Sequence, residues 1–249
     1  MTGERDSDPS APREDPARTP RRGPSTATAV GAILRKELRV ELRTLESVPA
    51  MSLFSVTTFV LFHFALNRDS VSGDLASGIL WVTLLFSSVL AINRLFVADE
   101  EQGGFDGFLL APVDRTALLI AKFLTLLGFL VVLEIVAVPA FGLLLLEPSL
   151  GRVLVRLVGI LLLADVGIAA VGTLVAALAV RTRARDLLGP LLALPLLVPV
   201  VIGAARACAP LLGAGHPGSV PVRWLEILGL YDLVFGLLAY AVFDFLLED

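Results

Sequence analysis

The chain has one cysteine, two histidines and only two lysines among its 249 residues. The single cysteine, Cys208, excludes an internal disulfide. Neither GxxxxGKS nor GxxxxGKT occurs, so the chain lacks a P-loop with which to hold nucleotide phosphates. Metal-ligand spacings, a nucleophile elbow and a paired-carboxylate motif are also missing. These absences argue against an enzyme, and against ATP hydrolysis by this chain in particular.

Apolar residues dominate what is present. Hydrophobic residues make up 56% of the chain, and the mean hydropathy is +0.83; soluble domains are about 45–50% apolar. A bilayer core about 30 Å thick needs roughly 20 apolar residues per helix. Six runs satisfy this, which predicts an all-α, polytopic membrane protein with one membrane domain over residues 29–249. The predicted spans are about Val48–Leu66, Leu75–Val97, Ala117–Leu146, Val153–Val180, Leu187–Leu212 and Trp224–Leu247.

Residues 1–28 differ sharply from the rest of the chain. They are rich in proline, serine and charge and contain almost no large apolar side chain. Such a segment cannot bury enough surface to offset the entropy lost on ordering, so a disordered N-terminal tail is predicted. Arg21 and Arg22 are not followed by an apolar stretch of the kind that makes a signal peptide.

The basic residues near the helix ends predict the orientation. Ten of them, Lys122 included, fall on the side of both termini, and five, including Arg152 and Arg156, fall on the other side. Because basic residues favour the cytoplasmic side, both termini are predicted to be cytoplasmic. We expect membrane lipid to surround the predicted spans. The charge pattern of the chain does not indicate nucleic-acid binding.

A charged helix precedes the first span, in the stretch ILRKELRVELRTLE from Ile33 to Glu46. Helical spacing puts four leucines on one narrow arc, with arginines on one flank and Glu37 and Glu41 on the other. We expect this helix to lie in the membrane interface with its leucines toward lipid. Because anionic lipid would repel the acidic flank, a basic protein partner is predicted for it. The four leucines are Leu34, Leu38, Leu42 and Leu45.

A polar stretch, which we call the insert (residues 97–115, VADEEQGGFDGFLLAPVDR), separates spans two and three. Its glycines are expected to break the second helix. Phe105, Phe108 and Leu109 then share one face of a short helix that Pro112 ends. Asp114 is well placed to cap the third span. A short, partly apolar helix suits a groove on a soluble partner; the alternative is a turn packed on the protein's own spans.

The insert also carries a family resemblance. Its sequence, the lead-in RKELRVELRTLE and the proline-rich fifth span LGPLLALPLLVPVVIGA together resemble the haem exporter B (CcmB) family of ABC-2-type permeases. The resemblance covers about Ile33–Leu247. It implies that the insert is a coupling helix that contacts an ATPase subunit. The residues that match the order of the family's coupling region are Glu100, Glu101, Gly104, Asp106, Leu109, Pro112, Arg115 and Lys122. The shared helical face adds Phe105 and Phe108 to the predicted coupling residues.

The same resemblance implies a function and a set of partners. The protein would be the permease subunit of an ABC transporter for cytochrome c maturation in a bacterial inner membrane, with haem as a possible transported or handled ligand. It would export haem or take part in the ATP-driven release of a haem-loaded chaperone. The implied partners are a CcmA-like ATPase, CcmC-like and CcmD-like membrane subunits, a CcmE-like chaperone and a second permease copy. Alternatives are an ABC-2 permease for a drug, lipid or glycan, and a membrane scaffold that transports nothing.

Several polar residues fall inside the predicted spans. Glu134 and Asp165 lie midway along spans three and four, where a charge costs about 2.5–3.5 kcal/mol on insertion scales. Three roles stay open for them: carboxyls protonated by burial, hydrogen bonds between helices, or the lining of a polar path; we favour the second. His63 and His216 have no second ligand nearby. Helix packing and a solvated loop are therefore expected of them rather than haem ligation, and no bound cofactor or metal is predicted.

Overall fold

A computed structural model describes residues 25–68, 70–95, 115–146, 150–180, 185–214 and 218–246. Within these ranges the chain is all-helical, with seven helices and no strand. Six of the seven, α2 to α7, are long and apolar enough to cross a membrane, as the sequence predicts. The helices are α1 (Thr26–Thr44), α2 (Ser47–Leu66), α3 (Gly73–Arg94), α4 (Arg115–Leu145), α5 (Leu150–Val180), α6 (Arg185–Cys208) and α7 (Val222–Leu246).

Local capping sets the ends of α1. The Ser25 side chain accepts a hydrogen bond from the backbone N–H of Thr28, so α1 begins at Thr26. The helix therefore includes the last residues of the predicted tail; residues 1–24 lie outside the described part. At the other end, Leu45 adopts a left-handed conformation with φ of 49°, which stops the helix. The chain then turns directly into α2, whose first turn contains Pro49.

The fifth predicted span is shorter than expected. It was predicted to reach Leu212, whereas α6 ends at Cys208 and is followed by a turn. Pro210 explains the difference, because a proline lacks the backbone N–H that a continuing helix needs and restricts the residue before it. Pro190, Pro195 and Pro199 lie inside α6. The described part thus tolerates three prolines within one span, since neighbouring helices can satisfy the carbonyls that prolines leave free.

Helix α3 is the most enclosed span, and α2 and α7 are the least enclosed. It packs against α2, α4, α5 and α6, while α1 lies along α4. Ser77 on α3 donates a hydrogen bond from Oγ to the carbonyl of Ala205 on α6, at 2.6 Å. In lipid, close packing and such inter-helix bonds hold helices together because lipid tails are as apolar as the side chains. The central position of α3 places its C-terminal end, where the insert begins, among several helices.

Candidate functional site at the junction of α1, α3 and α4

Most of the predicted coupling residues, from Glu100 to Pro112, lie outside the described residues, as does Asp114. The structure does describe the end of α3 and the start of α4, between which the insert lies. Helix α3 ends at Arg94, and the backbone N–H of Leu95 bonds the carbonyl of Ile92 at 3.2 Å. The chain is described again from Arg115, the first residue of α4. The insert therefore lies between the end of α3 and the start of α4.

Lys122 on α4 contacts both α1 and the end of α3. Its side chain is completely buried. The Nζ atom donates to the carbonyl oxygen of Leu95 at 2.9 Å and to Oε1 of Glu37 at 3.1 Å. A lysine is almost never fully buried unless it is paired, and its partners here include Glu37 on α1 and the Leu95 carbonyl at the end of α3. The sequence includes Lys122 among the basic residues that set orientation, but the structure shows its charge engaged inside the protein.

Glu37 reaches Lys122 because α1 turns one face toward α4. Ala29, Ile33 and Glu37, spaced by four residues, are the buried positions of that helix. Glu41 continues the same face: its Oε1 accepts from the backbone N–H groups of Ser47 at 3.0 Å and Val48 at 2.8 Å. Glu41 thereby caps the N-terminus of α2, where backbone donors lack helical partners. The prediction that this acidic flank meets a basic protein partner is wrong for both residues, since each is bound within the chain.

The leucine arc of α1 is largely uncovered. Leu38, Leu42 and Leu45 are exposed, and Leu34 is half-buried. The acidic face packs on the protein while the leucines point away from it, which suits a helix lying at a bilayer surface. The interfacial location itself stays a prediction.

An exposed ion pair also joins the end of α3 to the segment between α1 and α2. Arg94 Nη1 on the last turn of α3 lies 2.9 Å from Glu46 Oε2, between α1 and α2. Exposed ion pairs contribute only about 0–1 kcal/mol. The buried Glu37–Lys122 contact is the more demanding one, because a charge taken out of water needs good geometry to offset its desolvation.

Deeper in the bundle, four helices bring polar side chains together. Glu134 on α4 and Asp165 on α5 are buried and within hydrogen-bonding reach of each other. Trp81 on α3 donates from Nε1 to Sγ of Cys208 on α6, at 3.4 Å. The structure thus brings the two predicted intramembrane carboxyls into contact. Within the described residues, no cluster of three histidine, cysteine or acidic side chains has a geometry fit for a metal ion.

The sixth span contributes a further carboxyl that the sequence left without a role. Asp232 on α7 packs against Gly167 on α5, where any larger side chain would collide with it. Its neighbour Tyr231 donates a hydrogen bond to the carbonyl of Leu196 on α6 and stacks on Phe235. Together these contacts fasten α7 to α5 and α6. Asp244 is a further acidic residue of α7, and its side chain lies outside the described part.

His63 on α2 contacts the far end of α4. Its Nδ1 lies 2.6 Å from the carbonyl oxygen of Leu144. A carbonyl only accepts hydrogen bonds, so Nδ1 carries the proton. This contact matches the helix-packing role predicted for His63; His216 lies outside the described residues. At the same end of the bundle, Asp74 and Arg206 form a 3.4 Å ion pair on an open cavity of about 500 Å³ between α3 and α6.

Comparison with known proteins decides the family. The family model described as "CcmB protein" matches residues 28–244. The chain is 36% identical over 220 residues to "Heme exporter protein B" of Bradyrhizobium diazoefficiens, covering 86% of this chain and 96% of that relative. The chain belongs to the CcmB family. Relatives with the same description from Rhodobacter capsulatus and Pseudomonas aeruginosa are 31% and 30% identical, over 70% and 79% of this chain and 80% and 87% of theirs.

In this CcmB-family chain, the sequence singles out Lys122 through the family resemblance, but its contact with Glu37 was not predicted. Glu37 and Lys122 are 85 positions apart, and no local pattern joins them. A signal was nevertheless present, since Lys122 falls inside a predicted span. A charged residue within a span usually faces protein or water and has a partner.

Proposed function

We propose that this chain is the membrane permease subunit of a haem exporter that acts in cytochrome c maturation, and that a separate ATPase subunit drives it. The observation that carries this proposal is the family match over residues 28–244 in a chain with six candidate spans. The relatives are described as haem exporter proteins over most of their length. With no P-loop sequence in the chain, the energy would come from a partner.

The insert is the docking site that we assign to the ATPase. Phe105, Phe108 and Leu109 share one helical face by sequence spacing, and the ends of the insert are mounted on α3 and α4. An amphipathic helix carried by the membrane domain fits a hydrophobic groove on a soluble partner. Glu100, Glu101, Asp106 and Arg115 would set its orientation by charge.

We further propose that the permease and its ATPase assemble with haem-handling membrane subunits, a haem chaperone and a second permease copy. The complex would sit in the bacterial inner membrane with both termini cytoplasmic. ATP hydrolysis would either move haem across the membrane or release the loaded chaperone on the outer side. The chain's own contribution in both cases is to transmit movement from the insert to the spans.

The test starts from the docking face. Phe108→Asp puts a charge on that face and should release the ATPase from the complex purified in mild detergent, while membrane insertion stays normal. Ser219→Asp is the matched control, because it adds the same charge at an exposed residue of the opposite loop and should leave the ATPase bound.

Normal recovery of the ATPase with Phe108→Asp would contradict the coupling assignment. The haem assignment is tested separately by deleting the protein, which should abolish or strongly reduce c-type cytochromes. Unchanged cytochromes in the deletion strain would favour an ABC-2 permease for another substrate.

A further inference from the structure

The contacts of Lys122 link three separate segments at one atom. The insert starts two residues after Leu95 and ends at Arg115, and Lys122 lies two helical turns further along α4, about 10 Å along its axis. From there its Nζ reaches back to the Leu95 carbonyl, where α3 gives way to the insert, and to Glu37 on α1. Both ends of the insert are therefore tied to α1 through a single ammonium group.

Stability alone is a poor reason for this arrangement. Buried ion pairs often contribute no more than well-packed apolar side chains of similar volume, since desolvation offsets the attraction between the charges. The contact does constrain geometry, because an ammonium group that bonds acceptors on α1 and at the end of α3 restricts where these segments lie relative to α4. The Arg94–Glu46 pair adds a second tie between α3 and the end of α1.

We propose that Glu37 and Lys122 form a clamp that fixes α1 against the ends of α3 and α4, between which the insert lies, so that both are positioning residues for coupling. This inference rests on the proposed docking of an ATPase at the insert. Movement that reaches the ends of α3 and α4 passes through Leu95 and Lys122 to α1. Without the clamp, α1 moves independently of the ends of α3 and α4.

The decisive variant replaces the whole pair with apolar residues of similar size. Lys122→Met alone removes the 3.1 Å partner of the buried Glu37 carboxylate and leaves it the more distant Lys36 ammonium at 3.9 Å, so this variant is expected to unfold at lower temperature. Adding Glu37→Leu removes that carboxylate, so the double variant should recover wild-type thermal stability in detergent. Its c-type cytochrome level and its permease-dependent ATP hydrolysis should nevertheless fall about five-fold or more, the size of a typical coupling effect.

The matched control is Asp74→Leu with Arg206→Leu, which removes an ion pair at the opposite end of the bundle and should leave cytochromes and ATP hydrolysis unchanged. Recovery of both stability and coupled activity in the Glu37→Leu, Lys122→Met variant would overturn the clamp, because the pair would then serve folding alone.

A readout that needs no ATPase separates this inference from the proposed function. Amide hydrogen exchange of α1, residues 26–44, in the purified full-length protein should be several-fold faster in the stable double variant than in the wild type. Unchanged exchange would refute the clamp. If the wild-type protein retains no ATPase on purification but the exchange still increases, the proposed function fails while the clamp stands.

Discussion

Glu134 on α4 and Asp165 on α5 lie within hydrogen-bonding reach of each other inside the bundle. A hydrogen bond between two carboxyl groups needs a proton on one of them, because two ionised carboxylates offer only acceptors. Glu134 Oε1 and Asp165 Oδ2 find no hydrogen-bond partner among the described residues. The pair joins two neighbouring spans at a depth where unpaired polar groups are expensive.

Replacing Glu134 distinguishes hydrogen bonding from simple space filling. Glu134→Gln keeps a side chain that can bond Asp165 and should stay within about 0.5 kcal/mol of wild-type stability. Glu134→Leu fills similar space but leaves Asp165 without its partner, which should cost about 1–3 kcal/mol. Thermal unfolding in detergent measures both. Equal stability of the Gln and Leu variants would show that the inter-helix bond contributes nothing.

Gly172 on α5 permits the close approach of α3 and α4. A Cβ atom there would lie 2.6 Å from Leu126 Cδ2 and 2.7 Å from Ile92 Cγ1, and both neighbours are enclosed. Gly172→Ala should therefore destabilise the protein by about 1–3 kcal/mol, as overpacking does. Gly159→Ala on the same helix meets no atom within 4 Å and should gain up to about 1 kcal/mol from helix propensity. The reverse order of melting temperatures would show that α5 packs differently.

The orientation predicted from the basic residues can be tested by cysteine labelling. The one native cysteine, Cys208, is buried, so the background should be low. A membrane-impermeant thiol reagent applied from outside should label Ser219→Cys, which is exposed, and should not label Gly104→Cys. The opposite pattern would invert the topology and move the insert away from any cytoplasmic ATPase.

The two histidines are predicted not to hold haem iron. His63 already donates to the Leu144 carbonyl, a contact that accounts for its position between α2 and α4. His63→Ala with His216→Ala should leave c-type cytochromes near the wild-type level, with a loss of about 1 kcal/mol of stability from the missing hydrogen bond. Quantifying covalently bound haem in membranes provides the measurement. Lost cytochromes with normally inserted protein would assign the histidines a direct role.

The spans were predictable because each needs roughly 20 apolar residues, and such runs can be counted in the sequence. Their ends were less so. The start of α1 depends on the Ser25 side chain, and the end of α6 precedes Pro210. Such boundaries follow from single side chains, whose effect is clear only once the helix direction is known.

Only part of the candidate site could be predicted from the sequence. The coupling residues of the insert came largely from a family resemblance, and those from Glu100 to Pro112 lie outside the described residues. Glu134 and Asp165 were identifiable as unusual because charge inside an apolar run needs an explanation. That the two face each other depends on the rotation of α4 against α5, and periodicity within one helix does not determine it. The same holds for Glu37 and Lys122, which depend on how α1 lies across α4.

The loop between α2 and α3 is held by main-chain atoms. The N–H of Val71 bonds the carbonyl of Leu145 at 2.8 Å, and the N–H of Gly73 bonds the carbonyl of Leu212 at 2.7 Å. Main-chain bonds of this kind do not depend on which side chains the loop carries. Mutations can therefore accumulate in the loop without altering its path, except at Gly73, whose φ of 59° disfavours other residues. Among homologous proteins this loop is expected to vary in sequence while keeping its shape.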